Sequence, residues 1–135
     1  MITICNRLIP FGGYQAMAFW PFVFTRSSLM SARRKNHESI HLRQQFEVMV
    51  VAAFVMTVLC FTILSWWWMF AFPFVYYLLY CTEYVVRIAV HGKEEAYCNI
   101  SFEQEAIMNE KDFYYLKNRK RFAWVKYIGM KTYGK

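Results

Sequence analysis

Residues 36–45, NHESIHLRQQ, contain the arrangement His-Glu-x-x-His. In a helix, residues four apart lie on one face, so His37 and His41 can present ring nitrogens to one metal ion. Glu38 then lies beside that ion, where its carboxylate can take a proton from a water molecule. The spacing predicts a Zn²⁺ site with His37 and His41 as ligands and Glu38 as the general base.

Two solvated histidines at the start of a polar helix produce the same letters without any metal. In that interpretation Glu38 only complements the positive end of the helix dipole. A catalytic zinc site has three protein ligands and one open position for water. The choice between a zinc site and two solvated histidines therefore depends on whether the fold brings a third ligand to His37 and His41.

A charge-free stretch begins just after this motif. No Asp, Glu, Lys or Arg occurs between Glu47 and Glu83. A helix needs only roughly 20 residues to cross a bilayer core of about 30 Å. The stretch is too long for one crossing, and it suffices for two crossings that borrow flanking residues. The sequence thus predicts an integral membrane protein.

The turn between the crossings is marked by residues 65–73, SWWWMFAFP. Tryptophan favours the headgroup boundary of a membrane, and proline is tolerated in the first turn of a helix but not in its interior. We therefore expect crossings at residues 45–66 and 72–90. A single tilted span with a kink at Pro73 is the alternative.

Charge predicts the orientation of this hairpin. The chain has 16 Lys and Arg residues and a formal net charge of +7, and every basic residue lies before Glu47 or after Glu83. Loops rich in Lys and Arg stay on the cytoplasmic side, so both termini are expected in the cytoplasm. No nucleic-acid recognition motif accompanies the basic runs, so the expected partner is the lipid bilayer and not nucleic acid.

A hairpin returns the chain to the membrane face from which it left. The acidic segment of residues 101–110, SFEQEAIMNE, is then brought back to the neighbourhood of the histidines. Its glutamates are candidate third ligands, and His91, directly after the second crossing, is another. Hydropathy and metal chemistry therefore agree on one face of the membrane.

Glu83 and Arg87 lie four residues apart on one face of the second crossing. Charges inside a crossing are costly unless they are paired or functional. A mutual ion pair is the simplest interpretation, and contact with Gln44, Gln45 or the zinc site is the alternative.

The remaining segments complete a single domain over residues 1–135. Aromatic and β-branched runs at 2–9 and 14–25, separated by Pro and two Gly, predict an N-terminal β-hairpin. We expect a mainly α-helical membrane protein, with a two-helix transmembrane hairpin, the N-terminal β-hairpin and short C-terminal helices on the same side. Its parts are residues 1–26 (β-hairpin), 28–66 (motif helix running into the first crossing), 72–90 (second crossing) and 101–135 (acidic helix and a basic, aromatic tail).

The chain resembles known zinc peptidases. H-E-x-x-H followed by a helix containing E-x-E-A is similar to the gluzincin class, including the HtpX-like integral-membrane proteases. The segments IPFGGY, NHESIHLRQQ, EYVVR and ISFEQEA are also similar to a family of short uncharacterised bacterial membrane proteins, over most of the chain. The resemblance implies a zinc metallopeptidase of a bacterial inner membrane, with no established substrate.

The same resemblance bears on the third ligand. The glutamate ligand of the class stands three residues before an alanine, which implies Glu103 when Ala106 is aligned. The class has Asp or Asn four residues after the ligand, but position 107 is Ile. Counting from Glu105 places Asn109 there, so Glu105 is the alternative ligand.

Two functions from different classes follow. The first is a membrane-embedded metallopeptidase acting on peptides or membrane proteins, with the strand at 14–25 binding an extended substrate. The second is a non-enzymatic small membrane subunit or assembly factor, within an oligomer or larger complex, in which the His/Glu cluster is structural. A fourth ligand from His91 or Glu105 would favour the second function, because structural zinc sites are closed.

Overall fold

The computed structural model describes residues 2–6, 8–10, 14–27 and 29–130, and for His91 the backbone alone. Over these ranges the chain is mainly helical and contains one small sheet. The helices are α1 (Ala32–Thr62), α2 (Val75–His91), α3 (Lys93–Ala96), α4 (Ser101–Asn109) and α5 (Tyr115–Asn118), and 3₁₀ segments cover Trp66–Phe74, Tyr97–Asn99 and Ala123–Tyr127.

The strands of the sheet are β1 (Ile2–Cys5), β2 (Ala16–Phe19) and β3 (Phe22–Thr25). Central β3 pairs in parallel with β1 and antiparallel with β2. The hairpin therefore lies inside the run 14–25 rather than between that run and 2–9. Its turn is Trp20–Pro21, because proline lacks the N–H that a strand interior needs and suits a turn. Residues 11–13, the predicted turn, lie outside the described residues.

Helix α1 begins with a capped polar turn and packs onto the sheet. Ser31 accepts a hydrogen bond from the N–H of Arg34 at 3.3 Å, which satisfies one of the free donors of the first turn. One turn after the motif begins, Leu42 is buried against Ala18 and Val23. These contacts place the sheet beside the histidines.

The chain reverses at residues 63–65, earlier than expected, and continues as the 3₁₀ segment Trp66–Phe74 and then α2. Pro73 lies in the last turn of the 3₁₀ segment. Because it stands two residues before α2 begins at Val75, its missing N–H removes no hydrogen bond from α2.

Both long helices expose side chains that the core helix of a soluble protein would bury. Ala32–Thr62 and Trp66–Val90 are long and apolar enough to cross a membrane. In an apolar stretch of 18 residues in each, only 28% and 6% of the residues are buried. Phe54, Phe61 and Trp67 are 71%, 73% and 79% exposed. By length, composition and exposure, these two helices could span a membrane.

An ion pair on α2 holds the start of α4. Arg87 Nη2 donates to Glu83 Oε1 at 3.1 Å, which confirms the predicted pair. Glu83 also accepts hydrogen bonds from the N–H of Ser101 at 3.0 Å and from its hydroxyl at 2.6 Å. The second long helix therefore positions the helix that carries Glu103 and Glu105.

Replacing Glu83 by alanine should lower the free energy of unfolding by about 1–3 kcal/mol, because buried donors of Arg87 and Ser101 lose their acceptor. Glu94→Ala, at an exposed site, should cost less than about 0.5 kcal/mol. Denaturant unfolding in mild detergent, followed by circular dichroism, measures both changes. Equal effects of the two substitutions would show that Glu83 does not hold α4.

Candidate metal centre

His37 and His41 lie one turn apart on the same face of α1. Their Nε2 atoms are 3.1 Å apart, and the rings meet edge to face with centroids 4.7 Å apart. Both residues precede the charge-free part of the helix. The spacing of four residues therefore brings two ring nitrogens to one point outside the apolar segment.

Glu103 of α4 faces both histidines. Its Oε1 lies 3.4 Å from Nε2 of His41, and its Oε2 lies 3.5 Å from Nε2 of His37. The three side chains offer ligand atoms that all lie within 4.8 Å of one another. Two ligands on one tetrahedral zinc ion are separated by roughly 3.3 Å, since zinc bonds to nitrogen and oxygen are about 2.0–2.1 Å long. This group could hold a metal ion.

The outer nitrogen of each histidine faces a hydrogen-bond acceptor. Nδ1 of His37 is 3.1 Å from Oε2 of Glu110, and Nδ1 of His41 is 2.8 Å from Oε1 of Gln44. An acceptor at Nδ1 keeps a proton on that nitrogen and leaves the lone pair of the neutral ring on Nε2. Both lone pairs then point toward the Glu103 carboxylate, as a set of metal ligands requires.

The two oxygens of Glu103 have different surroundings. Oε1 accepts a hydrogen bond from the hydroxyl of Tyr80 at 2.8 Å. Oε2 is buried and has no hydrogen-bond partner among the described residues, because its contact with His37 is longer than a normal bond. A buried charged oxygen without a partner is costly. A cation between the histidines would satisfy it, so the residues present fit a metal ion.

The electrostatics of the cluster favour one positive charge at its centre. Burial lowers the pKa of His41, but the charge of Glu103 and its hydrogen bond outweigh burial and raise that pKa to about 9. Burial raises the pKa of Glu103, but His41 and His37 together hold it far below its ordinary value. The carboxylate therefore stays ionised, and either a proton or a metal ion separates the two Nε2 atoms.

Glu105 points away from the histidines, because residues two apart in a helix lie on opposite sides. It is fully buried and accepts hydrogen bonds from Gln44 at 3.0 Å, from Tyr115 at 2.8 Å and from Arg119 at 3.1 Å. The structure thus brings Glu103, and not Glu105, to the two histidines. The side chain of His91 lies outside the described residues.

Glu38 lines an open cavity of about 570 Å³ together with the three candidate ligands. Burial raises its pKa above the ordinary value, and His41 and His37 oppose part of that rise. A raised pKa makes a carboxylate a stronger proton acceptor than an exposed carboxylate is. Most of the other cavity walls are apolar or aromatic, and they include Met17, Phe19, Phe24, Phe74, Tyr77 and Tyr97.

Strand β2 forms one side of this cavity. The backbone N–H of Arg26 donates to the carbonyl of Gln15 at the start of the antiparallel pair of β2 and β3. Because hydrogen-bonded and non-hydrogen-bonded positions alternate along such a pair, Ala16 and Ala18 direct their backbone N–H and C=O groups away from β3. At Ala18 the carbonyl accepts a hydrogen bond from Gln45 at 3.0 Å. Ala16, which also lines the cavity, is the other position of β2 whose backbone groups point away from β3.

Sequence reasoning missed three partners of the cluster. Gln44 has a local signal, because it stands three residues after His41 and therefore on the same helix face. Tyr80 has no local signal, because it reaches the cluster from α2 only after the chain has folded. Glu110 belongs to the acidic segment 101–110, but its contact with Nδ1 of His37 also depends on the folded arrangement.

Comparison with known proteins returned no relative: no protein-family model, curated protein or solved structure matches the chain.

We expect about one zinc ion per chain in wild-type protein purified in mild detergent without chelators. Glu103→Ala should lose it, because two histidines alone leave the site without its charged ligand. Elemental analysis measures the stoichiometry. The matched control Ser39→Ala, which lies between the histidines in sequence, should keep the metal. Zinc absent from the wild type after supplementation would mean that a proton, and not a metal, occupies the cluster.

Proposed function

We propose that the chain is an integral-membrane, zinc-dependent metallopeptidase whose site lies at the cytoplasmic face of a bacterial inner membrane. One observation carries the proposal: Nε2 of His37, Nε2 of His41 and the Glu103 carboxylate converge at an open cavity that Glu38 also lines. The resemblance of the two sequence motifs to gluzincins agrees with it.

His37, His41 and Glu103 would hold the metal. Zinc supplies Lewis-acid activation of water and stabilises the charge that develops on a carbonyl oxygen. Glu38 takes a proton from the attacking water, whose oxygen bonds to the carbonyl carbon of the peptide. The carbon–nitrogen bond then breaks, and Glu38 passes the proton to the departing amine. One water molecule is consumed, and a carboxyl and an amino terminus are released.

The edge of β2 suits an extended substrate. The backbone groups of Ala16 point away from β3 beside the cavity, where a peptide could add as a further strand. The apolar and aromatic walls favour hydrophobic side chains on that peptide. Hydrophobic or membrane-proximal segments are therefore the proposed substrate class.

The alternative is a non-enzymatic subunit with a structural, four-ligand zinc site. Glu105 is the candidate fourth ligand on α4, but its carboxylate accepts hydrogen bonds from Arg119, Tyr115 and Gln44 instead. The cavity beside the cluster also leaves room for water and substrate. These two observations favour the enzyme.

The exposed apolar faces support a membrane hairpin formed by the later part of α1 and by residues 66–90. Every Lys and Arg lies before Glu47 or after Glu83. By the positive-inside rule, positive charge on one side of the hairpin would put both termini and the proposed metal centre in the cytoplasm.

Glu38→Gln should keep one zinc ion per chain and lower peptide cleavage at least about 100-fold, because the amide cannot accept the water proton. Casein and a quenched fluorescent peptide with an apolar cleavage sequence serve as probes in detergent. Wild-type protein stripped by chelator and reloaded with zinc is the control. Unchanged cleavage by Glu38→Gln would exclude this mechanism.

Two engineered cysteines should lie on opposite sides of the membrane, Ser65→Cys at the turn between the long helices and Lys111→Cys after α4. The background would have alanine in place of the native cysteines, Cys5, Cys60, Cys81 and Cys98. Labelling with an impermeant maleimide in sealed vesicles, before and after permeabilisation, measures the sidedness. Labelling of both sites from the same side would contradict the hairpin.

A further inference from the structure

Arg119 is a buried cation that joins two helices. Its side chain is only 2% exposed and lies between Glu47 of α1 and Glu105 of α4. Nη2 donates to Glu47 Oε2 and to Glu105 Oε2, each at 3.1 Å. Burial of a guanidinium is costly unless carboxylates surround it, and Glu47 and Glu105 do so here.

The backbone that follows Arg119 is also held by Glu47. Phe122 has φ of 54°, in the left-handed region that a large side chain rarely adopts. Its N–H donates to Glu47 Oε2 at 3.0 Å. A conformation of this kind persists only where the surroundings hold it. The C-terminal tail is therefore fastened at this point to α1.

Glu105 passes this restraint on to Gln44. The amide nitrogen of Gln44 donates to Glu105 Oε2 at 3.0 Å and to the carbonyl of Phe102 at 3.0 Å. Because both acceptors need the NH₂ group, the amide has one orientation, with its oxygen turned toward Nδ1 of His41 at 2.8 Å.

We propose that Arg119 is a positioning residue of the metal centre, an inference that rests on the proposed zinc site. Arg119 holds the carboxylate of Glu105, Glu105 orients the amide of Gln44, and Gln44 keeps the proton of His41 on Nδ1. The lone pair of Nε2 is then free for the metal. A residue of the C-terminal tail thus acts on a ligand that it does not touch.

The other histidine has a shorter version of the same arrangement. Arg33 Nε donates to Glu110 Oε1 at 2.8 Å, and Glu110 Oε2 faces Nδ1 of His37 at 3.1 Å. Both ligand histidines are therefore oriented by acceptors that an arginine holds in place, directly for His37 and through Glu105 for His41.

The test compares zinc affinity and the visible absorption spectrum of the Co²⁺ form in full-length protein in detergent. Arg119→Met should weaken zinc binding about 10–100-fold, as loss of an outer-shell partner does, and should change the Co²⁺ ligand-field bands. Lys117→Met removes an exposed charge from the same tail and should leave both readouts unchanged. A chelator competition assay measures affinity without any need for a substrate.

A double substitution separates positioning from general support of the fold. Gln44→Leu should weaken zinc binding by itself, and adding Arg119→Met should then weaken it by less than about twofold, because the pathway is already broken. If Arg119 only stabilises the fold, the two effects multiply and the inference is overturned. If Arg119→Met does not fold, Arg119→Lys replaces it, with a smaller loss of affinity expected and the same comparison with Gln44→Leu.

The outcomes distinguish this inference from the proposed function. Wild-type protein that binds neither Zn²⁺ nor Co²⁺ overturns both. Wild-type protein that binds metal, together with Arg119→Met of equal affinity and spectrum, overturns the positioning role and leaves the metallopeptidase proposal standing. The positioning role of Arg119 is supported if Arg119→Met and Gln44→Leu each weaken zinc binding and the loss of affinity in the double variant is smaller than the product of the two single losses.

Discussion

Nε2 of His37 and Nε2 of His41 lie 3.1 Å apart, and the buried carboxylate of Glu103 faces both. Two imidazole lone pairs do not approach this closely unless a proton or a metal ion lies between them. The surroundings are consistent with that requirement, because Glu110 and Gln44 occupy the outer nitrogens and leave only the inner ones for a cation. The other features of the site are arranged around this pair of nitrogens.

The scaffold brings these groups together from separate parts of the chain. Helix α1 supplies both histidines and Glu38, and α4 supplies Glu103. Glu83 on α2 holds Ser101 at the start of α4, so the second long helix helps to set the position of Glu103. The sheet closes the opposite side of the cavity through β2.

Two arginines form ion pairs with carboxylates beside the cluster. Arg119 lies between two carboxylates, and Arg33 holds Glu110 beside a histidine. Such pairs are weak evidence for stability, because the cost of removing charges from water offsets their attraction. Both pairs lie beside groups that contact the histidines: Arg33 holds Glu110, which faces His37, and Arg119 holds Glu105, which contacts Gln44 beside His41. The resulting network ties the C-terminal tail to the same cluster as the N-terminal part of α1.

Much of this arrangement could be read from local sequence. Spacing alone determined that His37 and His41 share a helix face, and hydropathy determined two long apolar helices that could span a membrane, because both patterns depend on helix geometry within one segment. Strand pairing was not predictable, since β1 pairs with a distant strand. Only the tertiary structure places Glu103, rather than Glu105, beside the two histidines and brings Glu110 and Arg119 near them. The physical reason is that those contacts depend on how α4 is rotated against α1, and that rotation is set by packing and by the Glu83 and Arg119 ion pairs rather than by any spacing along the chain.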